Sequence, residues 1–286
     1  MRLPSLFRRL LSRLPAVAAL MAASAGAFAN PIVVGLGFET DDADSRSYTA
    51  FADVGLGEKT WLSGAVATTQ TERQFFDVNN KLVDIALDHH FDPFGIRIGV
   101  GYWGDEDLLE SNDLRGAIYL RGDRGSVSLD YQRRDFELTL PALLTDEPRT
   151  FGLEADGVGL SGSLSLSERV RIYASGMDFD YSRDIRLQPN VDRLRLFSLS
   201  RLSIINSLVD FKANAGIELS FGDRSFDLRV ARWRTEVDQA EVDSIGLGFL
   251  TPIGSVADIE LRLAFDDSES FGSATVFSFF LYLYDE

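Results

Sequence analysis

The sequence predicts an all-β protein, a transmembrane antiparallel up-and-down β-barrel of about 14 strands, with 16 possible. Three observations predict it. Apolar and polar residues alternate with period two along many segments. Those segments run to about 10 residues, the length a tilted strand needs to cross a hydrocarbon layer. Short turns and long polar loops alternate between them. Composition removes the alternatives. The chain has 286 residues, 45% hydrophobic and 25% charged, with a mean hydropathy of -0.01, too apolar for a disordered chain. Beyond residue 30 no run of about 18 apolar residues offers a membrane helix. With 28 Lys+Arg against 44 Asp+Glu and a net charge of -16, nucleic acid is not an expected partner, because phosphate binding needs a basic footprint. The absence of Cys excludes disulfides, thiolate metal sites and a lipid-anchoring cysteine.

The first 29 residues stand apart from this pattern. Arg2, Arg8, Arg9 and Arg13 form a basic head, Ala16 to Ala23 an apolar stretch, and Ala27-Phe28-Ala29 a small-x-small cleavage site. These are the parts of a secretory signal peptide. Residues 1–29 are expected to be removed, leaving 30–286 as one barrel domain.

Within the barrel domain the alternation is read strand by strand. Val83, Ile85 and Leu87 stand opposite Asp84, Ala86 and Asp88; Ile96, Ile98, Val100 and Tyr102 opposite Arg97, Gly99 and Gly101; Val127, Leu129 and Tyr131 opposite Ser128, Asp130 and Gln132. From Phe211 to Phe221 and from Ala257 to Phe265 the same pattern runs for a whole strand. Each such strand faces two different solvents. Short turns are expected at Gly57 to Lys59, Asp92 to Gly95, Gly122 to Gly125, Ser167 to Arg169, Gly222 to Arg224 and Thr251 to Ser255. Longer loops are expected near residues 40–45, 71–80, 106–112, 141–149, 183–210, 237–242 and 266–272. Two places resist. In Ser225 to Glu236 the apolar set Phe226, Leu228 and Val230 gives way, in phase, to Arg232 and Arg234, so either a bulge near Ala231 shifts the phase or both arginines sit above the membrane. Residues 183–210, with an apolar stretch from Val191 to Val209, read as a loop, a helix or extra strands.

The last strand carries the most specific signal. Val276-Phe277-Ser278-Phe279-Phe280-Leu281-Tyr282-Leu283-Tyr284 resembles the aromatic-rich terminal strand of bacterial outer-membrane β-barrel proteins, and the chain from Pro31 to Tyr284 resembles that porin-like class. The family's chains usually end on an aromatic residue, whereas Asp285 and Glu286 follow here. The resemblance implies a bacterial outer-membrane location, with membrane lipid and lipopolysaccharide as surroundings. It also implies the barrel-assembly machinery and periplasmic chaperones as partners during biogenesis, with Phe280, Tyr282 and Tyr284 as candidates for the assembly signal. Tyr102, Tyr282 and Tyr284 are further expected in the aromatic girdles at the membrane interfaces.

For function the parity points to the lumen. Its expected wall carries Asp53, Asp84, Asp88, Asp130, Glu218, Asp227, Asp258 and Glu260 with Arg97, Arg115, Arg134, Lys212, Arg229 and Arg262. Such a wall wants water or cross-strand partners. About 14 strands leave room for a narrow aqueous path. The function expected is a diffusion channel for small solutes or ions, with weak cation preference and narrowed by the Val191 to Val209 segment. The alternatives are a non-conducting structural or surface-interaction barrel and, less favoured, an outer-membrane hydrolase. The imidazoles His89 and His90 lie beside a tight turn, and Asp88 with His90 makes half a metal site at most. No catalytic residue, cofactor or metal is expected. Gly152 to Gly162 lies in a strand pattern with no following helix, which argues against a phosphate cradle. The acidic loop tips at Asp41 to Asp44, Glu106-Asp107 and Asp266 to Glu269 suit solvation, or divalent cations shared with lipopolysaccharide.

Overall fold

A computed structural model describes residues 31–42, 45–73, 76–105, 109–140, 149–182, 208–236, 239–268 and 272–284. The expected signal peptide and residues 183–207 lie outside the described residues. Fourteen strands follow in order: β1 (Ile32–Asp41), β2 (Ser45–Gly55), β3 (Thr60–Arg73), β4 (Phe76–Phe91), β5 (Phe94–Asp105), β6 (Leu109–Gly122), β7 (Gly125–Leu140), β8 (Arg149–Ser165), β9 (Val170–Tyr181), β10 (Val209–Phe221), β11 (Arg224–Thr235), β12 (Glu241–Pro252), β13 (Ala257–Ser268) and β14 (Gly272–Tyr284). Each pairs with its neighbours in the chain, and the ring closes where β1 meets β14 antiparallel from Val33↔Tyr284 to Asp41↔Val276. Closure leaves no row of unpaired N–H and C=O groups, which hydrocarbon would not solvate. The β9–β10 pairing runs unbroken from Val170↔Leu219 to Phe211↔Asp178. No further strand pair enters the wall there, so the count is 14 and not 16.

The outer face is apolar and exposed. Leu36, Ile98, Ile118, Leu129, Leu160, Leu247 and Leu263 are among its large side chains, with Leu160 63% exposed. In water such a belt would be an aggregation surface; in lipid it is the expected contact. On β13 Leu261, Leu263 and Phe265 are exposed while Glu260, Ala264 and Asp266 are buried. The parity read from the sequence is therefore the parity of the wall.

Several connections depart from expectation. The rim carrying the tight turns, here the turn rim, has its connections where they are expected. At the opposite loop rim the loops expected near 71–80, 106–112 and 266–272 are largely strand, since β3 runs to Arg73, β4 starts at Phe76, β6 starts at Leu109 and β13 runs to Ser268. Strict alternation of long and short connections fails for these hairpins. The physical reason is that a strand can outlast the membrane: above the lipid both faces meet polar surroundings, so the alternation fades while the backbone ladder continues.

Arg232 and Arg234 settle the same way. The β11–β12 register is continuous from Ser225↔Leu250 to Arg234↔Glu241, and among the described residues the register shift near it lies across the hairpin, between Val209 and Phe211. Both arginines stay on the outer face. Arg232 Nε donates to Asp243 at 2.6 Å and Arg234 Nε to Asp210 at 2.6 Å. Arg133, also on the outer face, pairs with Glu154 at 2.8 Å. These pairs mark the end of the apolar belt on the loop side.

Five inner-wall glycines lie under aromatic rings of directly opposite residues: Gly35 under Phe51, Gly37 under Phe280, Gly95 under Tyr119, Gly157 under Phe179 and Gly216 under Tyr173. A Cβ at any of them would enter the ring; at Gly157 it would sit 2.6 Å from Phe179 Cε1. The missing side chain lets each ring lie along the wall instead of across the lumen.

Candidate functional site

The barrel interior has two unlike halves. On the turn side the inner wall encloses a cavity of about 960 Å³ whose lining includes the turn from Gly122 to Gly125, and which therefore opens at the turn rim. Asp53, Asp84, Asp88, Arg97, Arg115 and Asp130 line it. Adjacent strands bring these side chains together because residues two apart share a face. Arg97 Nε donates to Asp88 at 2.8 Å, and Tyr119 Oη reaches the same carboxylate at 2.6 Å. Arg115 donates to Asp84. Asp130 accepts from Ser128 at 2.9 Å and from Ser161 at 3.0 Å. A smaller adjoining cavity of about 190 Å³ is lined by Arg97, Arg115, Asp130 and Met177, among others.

The other expected wall residues also face inward, in separate clusters. Arg134 pairs with Asp113 at 3.3 Å and stacks over Phe136, its guanidinium carbon 4.7 Å from the ring centre. Lys212 Nζ stands 5.3 Å from the centre of the Phe179 ring. Glu218 is 3.8 Å from Arg171. Asp227 accepts from Tyr173 at 2.6 Å, and Arg229 stands on the same wall beside Gly246. Asp258 accepts from Tyr284 at 3.2 Å, while Glu260 accepts from Arg262 at 2.6 Å and Tyr282 at 2.5 Å.

These last contacts correct the girdle expectation for Tyr282 and Tyr284. Both are on the inner wall and donate to lumenal carboxylates, and Phe280 faces inward under Arg262, 5.4 Å from its guanidinium carbon. β14 is aromatic on both faces, so parity alone could not distinguish them; the carboxylates of β13 do. Tyr102 keeps the outer-face parity near the loop rim, where it donates to Glu110 at 3.0 Å.

On the loop side the inner wall is buried. Trp103, Leu109, Phe136, Leu153, Ala155, Phe179 and Leu208 form an apolar cluster inside the barrel, with Leu82, Leu138, Met177 and Tyr181 packed against it. Around the rest of that half Ser45, Ser47, Thr69, Thr71, Asn80 and Ser278 are buried too. Thr69 donates to Ser47 at 3.0 Å and Thr71 to Ser45 at 3.1 Å, whereas neither polar atom of the Asn80 amide has a partner among the described residues. Sequence reasoning missed this cluster. Its signal was present, since Trp103, Phe136, Leu153 and Phe179 are large apolar residues on the face that is elsewhere polar. The proposed narrowing by Val191 to Val209 falls outside the described residues except for its end. There Leu208 joins the cluster, its carbonyl accepting from Glu236 N at 2.8 Å, and the Val209 carbonyl accepts from Tyr181 Oη at 2.8 Å.

The two histidines sit at the turn rim. His89 Nδ1 bonds Thr60 Oγ1 at 2.8 Å on the outer face. His90 stacks on Tyr119, centroids 6.0 Å apart, and bonds Asp92 in the turn. Hydrogen bonds from Lys59, at 3.1 Å, and from His90 hold the Asp92 carboxyl below the usual carboxylate range. Among the described residues no group of three or more His, Cys, Asp or Glu side chains could hold a metal ion.

No protein-family model matches the chain, and no curated protein matches it. Solved structures do. The CymD monoaromatic hydrocarbon channel aligns with a TM-score of 0.55 at 9% identity, over 89% of this chain and 88% of that one. OmpTdeltaL8, a loop-deletion mutant of an outer membrane protein of Vibrio cholerae, aligns with a TM-score of 0.50 at 10% identity, over 90% and 98%. The outer membrane protein OprD from Pseudomonas aeruginosa gives 0.47 at 7%, over 90% and 93%. At such identities the likeness is one of fold, and the fold is that of bacterial outer-membrane barrels.

Proposed function

We propose that this protein is a bacterial outer-membrane channel for small solutes and not an enzyme. The observation that carries the reading is the turn-side cavity of about 960 Å³, enclosed by a polar wall inside a closed barrel with an apolar exterior. A wall of charges and hydroxyls holds water, and water is what a diffusing solute needs. That the CymD structure is a hydrocarbon channel supports the same class. The turn rim faces the periplasm in this reading and the loop rim faces outward. Weak cation preference remains part of it, supported by the eight acids against six bases among the expected wall residues. Opposite charges interleaved along the wall cancel locally, which keeps the preference weak.

A second reading, a non-conducting structural barrel, is favoured by one observation: the loop-side inner wall is buried, with Leu208 3% exposed and Ser45 fully covered. Planar-bilayer recording decides between them. Stepwise currents in potassium chloride, with a reversal potential displaced slightly toward cations in a salt gradient, support the channel. Correctly folded protein that gives no steps supports the structural barrel.

Lipopolysaccharide and membrane lipid are the proposed surroundings of the outer face. The barrel-assembly machinery is the proposed partner during biogenesis. Phe280, Tyr282 and Tyr284 stay candidates for that recognition because the unfolded strand presents both faces.

A further inference from the structure

We infer that the turn-side cavity binds a small organic cation, its ammonium group seated between the Asp53 carboxylate and the Trp61 ring. The inference names a solute class for the channel and rests on the channel reading for its biology, though its test does not need conduction. The lining as a whole carries five acids and five bases, so no net field selects the solute. What differs from place to place is which charges are already met. Asp84 has Arg115, and Asp88 has Arg97 and Tyr119. Asp130 accepts from two serines, and Arg171 has Glu218 at 3.8 Å. Arg121, Asp123 and Arg124, an acid between two bases, belong to the turn end of the β6–β7 hairpin, four strands from β2. That leaves Asp53 on β2. It has no hydrogen-bond or ion-pair partner among the described residues, and no base of the lining comes from β1 to β4.

The surroundings of Asp53 set the chemistry of its ligand. Its direct cross-strand partners are Val33 on β1 and Ser63 on β3. Trp61 is paired with Gly55, which makes it a diagonal neighbour of Asp53 on the same face. Such neighbours lie about 7–8 Å apart, within reach of one small ligand. All four side chains line the cavity. Beyond Ser63 the register continues through Ala86 and Gly99, small residues that leave the space before the carboxylate open. Directly opposite Trp61 stands a second acid, Asp88, and among the described residues no Lys or Arg lies over the indole. The face of a tryptophan ring attracts cations. A hard metal ion wants six or more oxygen ligands, which one free carboxylate and one hydroxyl beside a ring and a valine do not supply. An ammonium group bearing carbon fits better, because its charge meets Asp53 while its methyl or methylene groups meet the indole and Val33. A neutral solute leaves Asp53 unmatched, and an anion meets an unneutralised carboxylate. The cation preference of the channel then has a location in the wall.

Isothermal titration calorimetry tests this on the folded protein in a maltoside detergent, whose head group is uncharged. The probes are choline, butylammonium, potassium, and dimethylbutanol as the uncharged isostere of choline. At least one of the two organic cations should bind saturably, at least about tenfold more tightly than dimethylbutanol or potassium; which of them binds tells whether a methylated or a bare ammonium is taken. Asp53→Asn should abolish the preference for cation over isostere, and Trp61→Ala should weaken the cation severalfold, while heat-modifiable gel migration shows both barrels folded. Asp223→Asn removes a carboxylate of the β10–β11 turn, outside the cavity lining, and should leave binding unchanged. Should Asp53→Asn fail to fold, Trp61→Ala against Asp223→Asn carries the comparison. No saturable binding of either cation, equal binding of dimethylbutanol, displacement by equimolar potassium, full binding by folded Asp53→Asn or Trp61→Ala, or an equal loss in Asp223→Asn would overturn the inference. Bilayer currents separate it from the channel reading: cation binding with no current removes the channel and keeps the site, whereas current without binding does the reverse.

Discussion

Gly95 and Tyr119 form a test that is both structural and quantitative. The Tyr119 ring lies over Gly95, and the three nearest neighbours of a Cβ added there are all atoms of that side chain. Gly95 is not among the residues with positive φ, so alanine meets no backbone objection. Gly95→Ala must displace the ring and with it the 2.6 Å bond from Tyr119 Oη to Asp88. A hydrogen bond to a charged acceptor contributes about 1.5–3 kcal/mol. Asp88 keeps Arg97 and lumenal water can replace the phenol, so a loss of about 1–2 kcal/mol is expected. In a Tyr119→Ala background the obstacle is gone, and alanine in place of glycine within a strand should stabilise by about 0.5–1 kcal/mol. The sign of the effect therefore reverses between the two backgrounds. Urea unfolding in lipid vesicles, followed by the heat-modifiable gel shift, measures all four proteins. Additivity of the two substitutions within about 0.5 kcal/mol would refute the argument that the ring occupies the glycine.

Other expectations are simpler. Leu261 is exposed on the outer face between Phe249 and Phe279, so Leu261→Arg should cost about 2–4 kcal/mol of folding into lipid. Ser63→Arg, on the cavity wall, should cost far less; Glu260 is no suitable control, because it holds Arg262 and Tyr282. Val230→Arg should cost as Leu261→Arg does, whereas Arg232→Ala should change stability by less than about 1 kcal/mol, and equal costs would move the lipid boundary. Tags inserted after Asp107 should be labelled on intact cells and tags after Arg169 should not; surface labelling at Arg169 would invert the barrel. Because the folded Asp92 carboxyl is held low by Lys59 and His90, its stabilising contribution should be present above the ordinary carboxylate pKa and vanish as pH falls through its lowered value. Asp92→Asn should remove that part of the acid dependence of unfolding, and an unchanged profile would show the turn contacts to be idle.

Much of the wall was legible because lipid imposes a two-residue rhythm that Leu261, Leu263 and Phe265 obey. The rhythm stops reporting where the lipid stops, which is why strand continuing to Arg73 and from Phe76 read as loop. It also cannot assign a strand whose two faces are both aromatic, and Tyr282 and Tyr284 went to the wrong side for that reason. The lumenal charges were found by parity, but their partners were not. Tyr119 reaches Asp88 across β5, and Tyr173 reaches Asp227 across β10, contacts set by barrel closure and invisible in one strand. Arg121 and Arg171 also line the turn-side cavity, and the parity did not find them because they stand next to turns, where the alternation is weakest.

The glycines beneath aromatic rings also have a consequence for how the barrel finds its pairing. Lipid distinguishes only odd from even, so a strand slipped by two residues still shows its apolar face to the membrane and meets no penalty there. Each ring and its glycine are direct cross-strand partners, at Gly35↔Phe51, Gly37↔Phe280, Gly95↔Tyr119, Gly157↔Phe179 and Gly216↔Tyr173. Slip β6 by two along β5 and the Tyr119 ring comes opposite Arg97 or Pro93, where no seat exists. These pairs therefore act as absolute markers along the wall, in the manner of aromatic rescue of glycine. One of them lies on the closing seam between the first strand and the last, where no hairpin turn limits the slip.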